Sequence, residues 1–234
     1  MGYLSRSAAL LAIVVGTTAL FAATAVADEL VCNPTADYFL GAEDYGNAIA
    51  AHRRLLAANP ADALAHYHLG FAYGMTGERS AELAEYHAAA ALGLKQWDLE
   101  LNLGRAELEA GELIEATRDF QQAVALDPRH PEGYFNLGLA YERRGMLALA
   151  GAAIRSSLAL DPNQPDARNM LGLIDAEQGD YASAREIWTR LARSAPDFAP
   201  ARKNLATLER IEAAKNPSSP EPRPFRTAFA AAPR

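Results

Sequence analysis

The sequence predicts an all-α chain built from stacked pairs of antiparallel helices, and three observations predict it. Glycines recur every 34 residues at Gly70, Gly104, Gly138 and Gly172, each preceded by leucine. A second glycine series, Gly77, Gly111, Gly145 and Gly179, keeps the same step. The prolines Pro128, Pro162 and Pro196 keep it too. A period of this length marks an array in which each unit is one supersecondary element that buries its apolar face only by stacking on its neighbours.

At the start of the chain, residues 1–27 read as a secretory signal. Arg6 stands in a short polar start, 8–26 are almost wholly apolar, and Ala25-Val26-Ala27 forms a small-x-small cleavage pattern before Asp28 and Glu29. The competing reading is an uncleaved membrane anchor, because ~20 residues suffice to span a bilayer. Cys32 is the only cysteine, so no intramolecular disulfide is available. Val31 stands where lipid attachment to that cysteine needs a small residue, and the thiol reads as a small buried hydrophobe.

Residues 28–62 read as a degenerate first unit. Its first helix, in 29–43, is expected to be irregular because it contains Pro34, and its second runs from Asp44 to Pro60. Four full units follow at 63–96, 97–130, 131–164 and 165–198. Unit 131–164 shows the logic. Tyr134, Leu137, Leu139, Ala140 and Tyr141 recur at helical spacing, and Gly145 ends that helix where a left-handed residue satisfies the last carbonyls. A second apolar-periodic stretch runs from Leu147 to Leu160, and Asp161-Pro162 stops it, since the residue before proline is pushed out of helix. Gly138 lies inside the first helix, where glycine costs about 1 kcal/mol relative to alanine. Close approach of the second helix offsets that cost, and the small residues at the facing phase, Ala116, Ala150 and Ala184, are its expected partners. Residues 199–214 continue the phase as a lone capping helix with Leu205, Leu208 and Ile211 on one side. Residues 215–234 are proline-rich and too poor in apolar residues to offset ordering entropy, so a disordered tail is expected.

These residues resemble the tetratricopeptide repeat. Unit 131–164 carries the pattern as Tyr134, Leu137, Gly138, Tyr141, Gly145, Ala150 and Pro162. Unit 97–130 carries it as Leu103, Gly104, Gly111, Ala116, Phe120, Ala123 and Pro128, and unit 165–198 as Leu171, Gly172, Gly179, Tyr181, Ala184, Trp188 and Pro196. Unit 63–96 has Leu69, Gly70, Tyr73, Gly77, Tyr86 and Ala89, but departs with Glu82 at the small position and Leu94 at the proline position. The resemblance implies a right-handed superhelix of helix pairs, an α-solenoid, whose first helices line a concave groove for a protein partner. The inward positions it implies are Tyr67, Phe71, Leu101, Arg105, Phe135, Leu139, Asn169 and Leu173. Most are apolar, which fits an apolar peptide or amphipathic helix. Asn102, Asn136 and Asn169 are placed to hydrogen-bond a peptide backbone, and Arg105 to meet a carboxylate. The lysine and asparagine clamp that grips acidic chaperone tails is replaced here by Tyr67, Phe71, Leu101 and Phe135.

Nothing in the sequence points to chemistry. There is no GxGxxG, phosphate loop, CxxC, HExxH or GxSxG, so no catalytic residue, metal ligand or cofactor is expected. The best metal candidates are His66 and His68 with His87, yet His66 and His68 are two apart and point to different faces of a helix. Glu107, Glu109, Glu112 and Glu115 read as a solvated acidic face. The formal net charge of −7 argues against non-specific nucleic-acid binding, which needs a basic surface. The expected function is a non-catalytic scaffold or adaptor of the bacterial cell envelope, periplasmic or secreted. The alternatives are a membrane-tethered factor for pilus, secretion or cytochrome c maturation complexes, and a metal carrier or enzyme using His66, His68 and His87.

Overall fold

The computed structural model describes residues 33–214. The signal or anchor segment, Cys32 and the proline-rich tail lie outside the described residues. Among the described residues there are eleven α-helices and no strand. In order they are α1 (Pro34–Gly41), α2 (Tyr45–Ala58), α3 (Ala63–Thr76), α4 (Arg79–Ala91), α5 (Trp97–Ala110), α6 (Leu113–Leu126), α7 (Pro131–Arg143), α8 (Leu147–Leu160), α9 (Pro165–Glu177), α10 (Tyr181–Ser194) and α11 (Ala199–Ala214). The chain divides into two compact units, one ending at Ala110 with α1–α5 and one starting at Gly111 with α6–α11. Within each unit, helices that follow one another in sequence pack together.

Local chemistry sets the helix ends. The Asn33 side chain accepts from the Thr35 and Ala36 amides, and Pro34 takes the first helical position of α1, where its missing N–H costs nothing. Pro34 therefore starts a regular helix rather than disrupting one, contrary to the sequence expectation. Asp44, Asp62 and Asp180 cap α2, α3 and α10 in the same way. At the other end, α7 closes at Gly145, with φ 75°: the Met146 amide donates to Tyr141 and the Gly145 amide to Glu142. This is the crossed pair of bonds that a left-handed terminal residue permits. Leu94, the departure at the proline position, is explained by the same device. Gly93 adopts φ 89°, and the Leu94 and Gly93 amides donate to Ala89 and Ala90, so α4 ends without a proline.

The glycines inside first helices do meet the second helices, but not at the expected alanines. A Cβ on Gly70 would stand 2.7 Å from Tyr86 Cδ1, one on Gly138 2.6 Å from Ile154 Cδ1, and one on Gly172 2.5 Å from Trp188 Nε1. Ala150 would meet that Cβ on Gly138 only through its carbonyl oxygen, at 3.4 Å. The partner is the large residue one turn later, because side chains on a helix lean toward its N-terminus and cover the preceding turn. Tyr86, Ile154 and Trp188 are thus laid flat across bare backbone and fully buried. In the first unit, Tyr86 joins Ala89, Leu99, Leu103 and Ala106 in one core cluster. In the second, Ile154 packs with Ala150, Ala167 and Ile174, while Trp188 packs with Ala176, Ala184, Leu191, Ala201 and Leu208. Helix α11 is held to that last cluster through Ala201 and Leu208.

Glu82, the other departure in unit 63–96, is buried rather than splayed out. It is accommodated by Gly74: a Cβ there would lie 2.4 Å from Glu82 Oε1. The corresponding residues of the later units, Leu108, Glu142 and Ala176, all carry a Cβ, and Ala116, Ala150 and Ala184 stand where Glu82 does. Arg79 Nη1 donates to Glu82 at 2.8 Å, and its other nitrogen reaches Glu109 at 2.7 Å. Burial raises the Glu82 carboxyl above the ordinary glutamate range, with Arg79 pulling the other way.

Candidate functional site

The first helices carry the residues expected to meet a partner, and each unit treats them differently. In the first unit, Tyr67 of α3 donates its hydroxyl to Asp98 at 3.1 Å and accepts from Asn102 Nδ2 at 3.2 Å, both on α5. Its ring lies 5.9 Å from that of Tyr86. Phe71 meets Tyr45 edge-on at 6.5 Å and packs against the cluster of Leu40, Ala48 and Ala72. Leu101 is only 2 % exposed. Arg105 is exposed, and its charge is felt by Glu82 and Tyr86. Of the five residues expected here, Arg105 is the one on open surface, while Tyr67 and Asn102 form a polar clip between successive first helices.

In the second unit, Phe135 and Leu139 of α7 and Leu173 of α9 are each partly exposed. Phe135 leans on the Ile154 cluster and Leu173 on the Trp188 cluster. Asn136 turns its amide back to the Glu132 carbonyl at 2.9 Å. Asn169 is 2 % exposed; its side-chain carbonyl accepts from Asn204 Nδ2 at 2.9 Å, and its backbone carbonyl accepts from Trp188 Nε1 at 3.4 Å. These expectations therefore need correction. Leu101 and Asn169 are core, and the asparagine amides at 102, 136 and 169 are engaged within the chain instead of facing a peptide. Asn102 is engaged by Tyr67 across α3 and α5, and Asn169 by Asn204 across α9 and α11. Asn136 finds its acceptor one turn back in its own helix.

The acidic and histidine readings also change. Glu107 is not solvated: it is 0 % exposed and 3.7 Å from His87 Nε2. It follows Leu103 by four residues and so falls on the same buried stripe of α5. Glu109 pairs with Arg79. His66, His68 and His87 do not converge. His66 Nδ1 lies 2.6 Å from Glu85 and its Nε2 3.1 Å from the Pro60 carbonyl, whereas His68 meets Asp37. A cavity of about 320 Å³ in the second unit, lined by Arg168, Leu171, Ile187, Arg190 and Ser194, brings no nucleophile to a base.

Two phenols in the first unit are held neutral. Burial, then the Asp98 carboxylate, pushes Tyr67 well above its usual range, and burial, then Glu82, does the same to Tyr86. Both folded values are raised above the unfolded one, so this stabilisation is complete below about pH 10 and is lost as the pH rises past it. The urea midpoint is expected to fall as the pH rises above about 10, and Tyr86→Phe is expected to flatten that fall. An equal slope in the variant would show that the buried phenol is not responsible.

Comparisons with known proteins bear on the fold. The family profile described as "Tetratricopeptide repeat" matches residues 101–165 and 169–212. No curated protein matches the chain. Among solved structures, YrrB, described as "a TPR protein with an unusual peptide-binding site", superposes with a TM-score of 0.68 at 23 % identity, over 71 % of this chain and 86 % of that one. MamA gives 0.67 at 22 % identity, over 72 % and 99 %. TTC0263, a thermophilic protein of Thermus thermophilus, gives 0.53 at 21 % identity, over 76 % and 96 %. At these identities the likeness concerns the fold. The 34-residue period, the glycines under Tyr86, Ile154 and Trp188, and the profile match agree: the chain carries tetratricopeptide repeats, matched over residues 101–165 and 169–212.

Proposed function

We propose that the chain is a scaffold that holds a peptide or helix of another protein, and that it works in the bacterial cell envelope. Tetratricopeptide repeats as a family mediate protein–protein contact, and the similar fold of YrrB is described with a peptide-binding site. The observation that carries the reading here is the row Phe135, Leu139 and Leu173. These apolar side chains sit on the first helices α7 and α9 and remain partly exposed, and Phe135 and Leu173 are anchored from below by buried clusters. An apolar row on a rigid base suits the spaced anchors of an amphipathic helix or extended peptide. Residues 1–27 support export, with cleavage after Ala27 or, in the second reading, retention as an anchor facing the periplasm.

The test is a photo-crosslinking amino acid placed at Leu139, in cells, with the same probe at Ala152 on the exposed side of α8 as comparison. The expected result is a discrete adduct from position 139 and none from 152, lost when Phe135→Ala is added while the helical circular dichroism stays the same. Equal adducts from both positions, or none from 139, would remove the row from consideration. The mass of the uncrosslinked chain purified from the same cells reports whether it begins at Asp28.

A further inference from the structure

The first unit contains a cluster that the scaffold reading leaves unexplained. Asp37 of α1, His52 of α2 and His68 of α3 each turn one ligand-type atom to a common point, all within 4.8 Å of one another. Asp37 Oδ1 lies 2.9 Å from His68 Nδ1 and 3.4 Å from His52 Nε2. His52 is 0 % exposed, and its Nε2 has no hydrogen-bond partner of good geometry. Its Nδ1 is 2.9 Å from the Ala48 carbonyl, an acceptor only, so in the neutral ring that nitrogen carries the proton and Nε2 presents its lone pair to the cluster. Asp37 is oriented in turn: its Oδ2 accepts from the Asn33 amide at 3.2 Å, which leaves Oδ1 for the imidazoles.

From this we infer that Asp37, His52 and His68 form a binding site for a single borderline divalent metal ion, zinc above all. Two imidazoles and one carboxylate are a donor set that zinc accepts, and four-coordinate zinc holds neighbouring ligand atoms about 3.3 Å apart, given bonds of about 2.0–2.1 Å. Two of the three separations in the cluster, 2.9 and 3.4 Å, lie close to that, and the third is within 4.8 Å. The contact from His52 Nδ1 to a backbone carbonyl is the outer-shell arrangement that fixes the tautomer and ring plane of a metal-bound histidine. The Asp37 and His68 side chains are 17 % and 15 % exposed, which gives a path from solvent and room for a water as fourth ligand. The three ligands come from three helices, so a bound ion would join α1, α2 and α3 at one point.

The test uses the purified full chain and zinc alone. One equivalent of zinc is expected to survive dialysis against metal-free buffer, and the melting temperature is expected to rise with zinc concentration, as binding to the folded state requires. His68→Ala and Asp37→Asn, both at the open side of the cluster, are each expected to weaken binding by about tenfold or more. Cobalt(II) in place of zinc is expected to give the intense visible absorption of a low-coordinate site, a readout on the unaltered chain that does not depend on either variant folding. Absence of stoichiometric zinc, a cobalt spectrum like that of the aqueous ion, or zinc affinity unchanged in both variants would overturn the site and leave a carboxylate held between two histidines.

Discussion

Trp188→Ala is expected to destabilise the second unit by about 3–5 kcal/mol, the range for truncating a large aromatic at a site that cannot collapse. Trp188 is 0 % exposed and sits at the centre of the cluster that joins α9, α10 and α11. Its indole lies over Gly172, which has no side chain to move into the space, and its Nε1 donates to the Asn169 carbonyl. Truncation leaves a void with glycine on one wall and removes the floor under Leu208 and Ala201. Because an array loses stability unit by unit, α11 should release first. Circular dichroism during urea unfolding is the measurement: an earlier, broader transition is expected, with loss of helix equivalent to α11 before the rest. A single transition at the original midpoint would show that the cluster tolerates the void and that the glycine floor is not what holds the tryptophan.

Gly138→Leu is expected to have the next largest effect, about 1–3 kcal/mol or more of overpacking, less the ~1 kcal/mol that replacing a mid-helix glycine returns. The Cβ alone would stand 2.6 and 2.8 Å from two carbons of Ile154, and the rest of the side chain has nowhere to go between α7 and α8. The decisive comparison is the double variant with Ile154→Ala, which frees the volume the leucine needs. Restored stability in the pair, beyond the sum of the two single effects, identifies Ile154 as the residue that Gly138 receives. Additive losses would place the contact elsewhere, and an unchanged melting temperature for Gly138→Leu would place the glycine outside any close approach.

The repeat was legible because its glycines sit where a side chain would be strained or would collide: Gly145 at a positive φ, Gly138 and Gly172 beneath large side chains. Such positions depend on backbone geometry, which spacing encodes directly. Which side chain covers which glycine was less legible. Phase along a helix places Cα atoms, while the lean of Ile154 and Trp188 by one turn decides the contact. The exposure of the groove candidates was legible only in part. Phe135, Leu139 and Leu173 do face outward, but Leu101 and Asn169 have the same repeat positions and are buried. Position within the repeat does not say how close the next first helix comes, and it was Asp98, Tyr67 and Asn204 that consumed the polar groups expected to be free. The cluster of Asp37, His52 and His68 was illegible for a plainer reason. Its members lie 15 and 16 residues apart on three helices, and no local spacing rule joins them.

Gly74 and Glu82 carry a consequence for how this chain can change over time. Each is unsuited to its place alone: glycine weakens the last turn of α3, and glutamate is the wrong shape for a slot that takes alanine elsewhere in the array. Together they fit, so neither can drift back independently. Glu82→Ala would open a hole over Gly74, and Gly74→Ala would collide with Glu82. The unit at 63–96 is thereby locked out of exchange with its siblings. A crossover between residues 74 and 82 would separate the two, and one on either side of that stretch would preserve them.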